Sequence, residues 1–304
     1  MRTRWDILFV GDIMKSDNII YNKIPTTFEE QINILRKRNL IIDNETSAID
    51  ILSRVNYYRL SAYMLTFKSD DKFFNNTTLE DIYDTYCFDK KLRNLLVGVL
   101  ESTEIEFRTH IAYHIAHKYG ALGHLDSNNF TKVIFHEKYV SIIKNEIYKN
   151  RQELFVIHHK TKYNGQVPIW VVMEITTFGT LSMLFNNLKI EDKKAIGLMC
   201  GNIHYSMLTS WLKSLSHIRN VCAHYSRIYN KKYNTKPVIP KIYKDYHIDN
   251  ERIFSFILVI KHSIQNKSEW NSFLINLKGL IDQYEIINLS LIGFPINWYD
   301  ILLE

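Results

Sequence analysis

Four side chains with chemistry of their own crowd into "SHIRNVCAHYSRIYN", residues 216–230: Arg219, Asn220, His224 and Arg227. Histidine, with an ordinary pKa near 6.5, takes up and returns a proton around neutrality. Arginine carries a permanent charge on a fork of donors that matches phosphate oxygens. Asparagine can orient either group without adding charge. No acidic residue lies between Lys213 and Lys244. The set therefore suits metal-free chemistry at a phosphodiester, in which the 2′-hydroxyl of RNA serves as internal nucleophile.

On a helix at about 100° per residue, Leu208, Trp211, Leu215, Ile218, Cys222, Tyr225 and Tyr229 form one apolar stripe, expected against the core. Asn220, His224 and Arg227 gather on the opposite side at spacings of four and three. Arg219 falls at the border, about 140° around the axis from His224. One straight helix therefore does not close Arg219 and His224 around one small group. Either the helix is bent or frayed here, or a two-fold partner brings its own Arg and His alongside. A solvated helix face with no site is the plain alternative.

The rest of the chain must position these residues. It has 304 residues, 46% hydrophobic and 23% charged, which is a globular composition, with a net charge of +6. Much of that charge lies between Lys213 and Arg252, including Lys231, Lys232, Lys236, Lys241 and Lys244, and favours a polyanionic partner. Cys87, Cys200 and Cys222 are odd in number and widely spaced, so neither a disulfide framework nor a cysteine metal site is indicated, and a reducing, cytoplasmic setting is expected. The apolar run "IFSFILVI" is far short of the roughly 20 residues of a membrane span. Asp6 and Asp12 interrupt "WDILFVGDIM" as a signal peptide.

Helical periodicity dominates and predicts an all-α fold. Thr27 with Glu30 and Thr78 with Asp81 read as capping boxes, the second opening a helix that runs to Gly120 and is the longest in the chain. Further helices are expected over 48–63, 136–159, 168–187, 204–230, 251–266 and 268–284. The divisions expected are an N-terminal helical region at 1–77, a helical core at 78–235 and, after Pro237 and Pro240, a C-terminal helical extension to 304.

Other clusters carry weaker readings. His110, His114 and His117 share a helix face, but His110 and His117 are about 10 Å apart along the axis. That is too far for one ion, and no metal or other cofactor is assigned. Glu101, Glu104 and Arg108 share a face, with Glu104 and Arg108 at ion-pair spacing. "FGTLS", Phe178 to Ser182, is no nucleotide loop and reads as a packing or helix-bending element. The aromatic run "NYYRLSAY" reads as core and rim. The helical hairpin before it could also be a DNA-reading unit.

"RNVCAHYSRIYN" resembles the signature of the Abi-like (AbiD/AbiF) abortive-infection proteins of the HEPN superfamily. "TTFEEQINILRKRNLII", "VNYYRLSAYMLTF", "FDKKLRNLLVGVLESTEIEFRTHIAYHIAHKYG" and "VPIWVVMEITTFGTLSMLFNNL" agree in order, so the likeness runs from about Lys23 to Pro240. It implies a HEPN-type bundle and a metal-independent endoribonuclease assembled across a homodimer. Arg219, Asn220 and His224 match the catalytic set, and a small non-coding RNA would restrain the enzyme. Tyr225 and Tyr229 stand where relatives often carry His and Trp. Arg227, Lys231, Lys232, Arg108 and His114 are the candidates for RNA contact. A non-catalytic RNA-binding protein and a DNA-binding regulator are the rival expectations.

Overall fold

The computed structural model describes residues 24–304, so the reading of "WDILFVGDIM" lies outside the described residues. The chain is all-α: among those residues, strand is confined to the pair Lys68–Ser69 and Lys72–Phe73, β1 and β2. Contacts divide it into two units, one ending at Cys87 and one running Phe88–Glu304.

In the first unit, α1 (Phe28–Lys37) opens on the Thr27–Glu30 capping box, with both reciprocal bonds formed. It pairs with α2 (Glu45–Arg54), capped by Asn44, and α3 (Tyr57–Met64) follows. Ile32, Leu35, Ala48, Leu52, Leu60 and Tyr63 are buried. The short hairpin was not legible from alternation. It turns on Asp70, whose φ of 52° lies in the left-handed region that Asp tolerates.

Helix α4 (Leu79–Tyr119) starts at the expected box, where the Asp81 N–H donates to Thr78 Oγ1 at 3.1 Å and the Thr78 N–H to Asp81 Oδ2 at 2.8 Å. It ends at Gly120, whose φ of 81° no longer suits a helix. Its 41 residues extend about 60 Å. The unit boundary falls within it.

The second unit continues with α5 (Val133–Lys149), α6 (Leu154–Lys162), α7 (Ile169–Ile175), α8 (Phe178–Asn187), α9 (Ile190–Met199) and α10 (Tyr205–Ala223). It closes with α11 (Ile253–Ser263), α12 (Lys267–Gln283) and α13 (Trp298–Leu303). Helix α10 packs on α8, α9 and α11, and α5 packs on α7 and α8. The run "IFSFILVI" is α11, where every residue from Ile253 to Ile260 is buried; an apolar helix without a polar face belongs in a core. The proline-marked stretch before it is tied to α10: Trp211 Nε1 donates to the Val238 carbonyl at 2.7 Å, and the Val238 N–H donates to Ser210 Oγ at 3.0 Å.

Four expected helices are shorter or divided. The segment 48–63 is α2 and α3, parted at extended Val55, where Asn56 Oδ1 accepts the Tyr58 N–H at 2.8 Å and begins the second helix. The segment 136–159 is split between α5 and α6 by the turns after Lys149. The segment 168–187 is α7 and α8, separated by Thr176 and Thr177. Thr177 Oγ1 accepts the Thr180 N–H at 3.1 Å and so begins a new helix. The segment 204–230 ends as helix at Ala223, with consequences for the site.

Candidate functional site

Helix α10 stops by a Schellman motif. The Tyr225 N–H donates to the Cys222 carbonyl at 3.1 Å and the Ser226 N–H to the Val221 carbonyl at 3.0 Å, with Tyr225 at φ 58° in the position usually taken by glycine. His224 is the capping residue, exposed at the helix end. Tyr225 is consequently off the apolar stripe and 69% exposed, which corrects the expectation that it faces the core. Tyr229 is buried as expected, but the turn delivers it there rather than the helix.

That turn is held by an acid that sequence reasoning missed. Asp89 on α4 is fully buried and accepts the Ile228 and Tyr229 N–H groups at 2.9 and 2.6 Å. Its other oxygen pairs with buried Arg93 one turn along. The signal was present as an Asp–Arg pair four apart in "FDKKLR", but only packing distinguishes it from a surface pair.

Arg219 lies in the last turn of α10, with its guanidinium on α4. Its Nε donates to Glu104 Oε2 at 3.2 Å and its Nη2 to Oε1 at 3.4 Å. The same carboxylate accepts from Arg108, through Nε at 3.1 Å and through Nη2. Glu104 is only 6% exposed, so two guanidiniums share one desolvated carboxylate and the cluster is net positive. The remaining donors of Arg108 reach the Met173 and Thr176 carbonyls. These carbonyls lie where α7 ends, that of Met173 also accepting the Thr176 N–H at 3.4 Å, and a cation there complements the helix dipole. The α7–α8 break therefore creates the acceptors that hold Arg108.

Arg219 Nη1 donates to Asn220 Oδ1 at 3.2 Å. The structure thus joins Arg219 and Asn220, and places Arg219, Glu104 and Arg108 along a cavity of about 780 Å³. Glu101 lines the same cavity, as its shared face with Glu104 and Arg108 implied. His224 is not part of that wall. Helix α10 ends at Ala223, so the straight helix on which Arg219 and His224 would face apart does not continue past His224.

The candidate RNA-contact residues are dispersed. Arg108 is committed to the cluster just described. His114 Nε2 lies 2.8 Å from Oδ1 of buried Asp192, which also accepts Lys118 Nζ at 2.7 Å and the Tyr119 hydroxyl at 2.9 Å. Burial alone would raise the Asp192 pKa, but these donors outweigh it and hold the carboxyl below its ordinary value. Arg227 is half-buried in the turn after α10. Lys231 is half-buried over the Tyr233 ring at 5.4 Å, and burial, then the Arg227 charge, lowers its pKa. Lys232 and Lys236 both pair with Glu251, because the Tyr233 N–H bonds the Glu251 carbonyl at 2.8 Å and brings the two segments together. Part of the positive charge of this stretch is therefore met inside the fold.

The three histidines of α4 also separate. His110 Nδ1 lies 3.4 Å from Cys200 Sγ, His114 bonds Asp192, and His117 stacks on Tyr113 with ring centroids 3.8 Å apart. Among the described residues no group of three or more His, Cys, Asp or Glu is placed to hold a metal ion, and no helix is long and apolar enough to cross a membrane.

A family model described as Abi-like protein matches residues 50–230. It takes in Glu104, Arg108 and the whole motif from Arg219 to Arg227, while the blocks before residue 50 and after residue 230 lie outside it. No curated protein and no solved structure matches the chain.

Proposed function

Because the chain belongs to the Abi-like protein family, matched over more than half its length, we propose that it acts in abortive infection, a defence against phage, as a metal-independent endoribonuclease. The observation that carries this reading is Arg219, fixed by Glu104 on a cavity wall and bonded to Asn220, with exposed His224 ending the same helix. Arg219 would stabilise the charge developing on the phosphorane, and Asn220 would orient the phosphate. His224 would take the proton of the 2′-hydroxyl or return one to the leaving 5′-oxygen. The offset of about 140° between positions 219 and 224 around a helix axis favours a site shared by two copies, in which a two-fold axis brings the two helix ends together. A small non-coding RNA would restrain the enzyme, with exposed Lys241 and Lys244 in the region it would contact.

The rival reading is an RNA-binding protein without cleavage, favoured by the absence of His224 from the Arg219 cavity wall. Purified protein incubated with total bacterial RNA in EDTA, beside Arg219→Ala and His224→Ala, separates the two. The nuclease reading expects fragments with 2′,3′-cyclic phosphate and 5′-hydroxyl ends from the wild type alone. Intact RNA, after any co-purified RNA has been stripped, would favour the rival.

A further inference from the structure

Trp170, the second residue of α7, is 51% exposed and forms a wall of two hollows. One is the cavity beside Arg219, where Tyr113 and His117 stand opposite as a stacked pair. The other, about 420 Å³, is lined by His158, His159 and Tyr163, whose rings contact one another at 5.4 to 5.5 Å. Large aromatic side chains left in water on both sides of Trp170 need a reason, since a monomer gains nothing by exposing a contiguous apolar surface.

Charge narrows the choice of occupant. Arg219 lines the first hollow. Lys160 and Lys162, on the helix that gives His158 and His159 to the second, are exposed, with Lys162 Nζ 5.4 Å from the Tyr163 ring centroid. Cations flanking a row of flat rings match the alternation of phosphate and base in a single strand. Exposed Glu101 and Glu174 line the same hollow as Arg219 and disfavour phosphate where they stand. A carboxylate only accepts hydrogen bonds, so it suits an exocyclic amino group with two N–H donors over uracil, which offers only its N3–H.

We propose that the two hollows are adjacent base subsites for single-stranded RNA. Trp170 stacks between consecutive bases, and Glu101 and Glu174 select an amino-bearing base beside Arg219. The proposal rests on the RNA reading above and adds the strand's path and its base preference.

The test is fluorescence anisotropy of labelled 12-nucleotide strands, oligoadenosine and oligouridine, on the His224→Ala protein so that no strand is cut. Trp170→Ala should weaken oligoadenosine binding about 5- to 150-fold, from a stacking contribution of about 1–3 kcal/mol per base. Trp170→Phe should keep most of the affinity, and Tyr163→Ala should weaken binding independently. Glu101→Gln with Glu174→Gln should erase the preference for adenosine over uridine. Circular dichroism melts confirm that each variant is folded.

Unchanged RNA affinity in Trp170→Ala and Tyr163→Ala overturns the track and marks the aromatic surface as one for a protein partner, while His224-dependent cleavage by the wild type would still uphold the nuclease. Track-dependent binding without any wild-type cleavage upholds the track and sinks the nuclease. A parent protein that binds neither strand overturns the track, and wild-type cleavage of total RNA then decides the nuclease by itself.

Discussion

Arg219 Nε lies 3.2 Å from Glu104 Oε2, across 115 positions of sequence, and that carboxylate is shared with Arg108. Removing it leaves two guanidiniums side by side without their counter-charge. Glu104→Ala should therefore destabilise the fold by about 3 kcal/mol, the scale for breaking a buried pair. Arg219→Ala should cost less, because Glu104 keeps Arg108. Urea unfolding of the two variants checks the order, and equal losses would show that the carboxylate is not the hub.

Asp89 anchors the turn that follows His224. Asp89→Ala should lose about 3–5 kcal/mol, since Arg93 would remain buried without a partner. The Ile228 and Tyr229 amides would lose their acceptor, and native-state hydrogen exchange should report faster exchange at both. If they stay as protected as in the wild type, the turn is held by something other than this carboxylate.

Tyr225 adopts φ 58°, which disfavours a side chain branched at Cβ. Tyr225→Val should cost about 1–2 kcal/mol more than Tyr225→Gly, because both lose the ring and only valine is branched at Cβ. Thermal melts of the pair distinguish this backbone effect from loss of the ring, which would lower both melting temperatures equally.

Acid should weaken the fold before its carboxylates titrate. Burial, reinforced by His136, pushes His124 down to about 4. Burial, with Lys261 and then Lys267, does the same to His262. Both are neutral when folded and take up a proton near 6.5 once unfolded. Between about pH 6.5 and 4 the unfolded chain binds more protons, so this stability is complete above the window and is lost as pH falls through it. Chemical denaturation across that range should show the slope, and His262→Gln should reduce it by at most about 1.4 kcal/mol per pH unit. An unchanged slope would remove His262 from the account. Asp192, held below its ordinary value, contributes above the carboxylate range and is lost only at lower pH.

The amino-acid sequence alone predicts the all-helical fold, both capping boxes, the long helix ending at Gly120 and the grouping of Glu101, Glu104 and Arg108. Each rests on spacing within a few residues, which helical geometry turns directly into neighbours. It also determined that Arg219 and His224 could not meet on one straight helix. Where that helix stops is settled by the folded chain, because its end depends on a tyrosine accepting a left-handed backbone and on Asp89 receiving two amides 139 and 140 positions along the sequence. The same holds for the break at Thr176 and Thr177, where periodicity continues but a threonine cap and the guanidinium of Arg108 satisfy the freed groups. The sharing of Glu104 by Arg108 and Arg219 was likewise beyond sequence, since contacts across more than a hundred residues leave no periodic trace and arise only when packed helices bring charges into a space too dry to leave them unpaired.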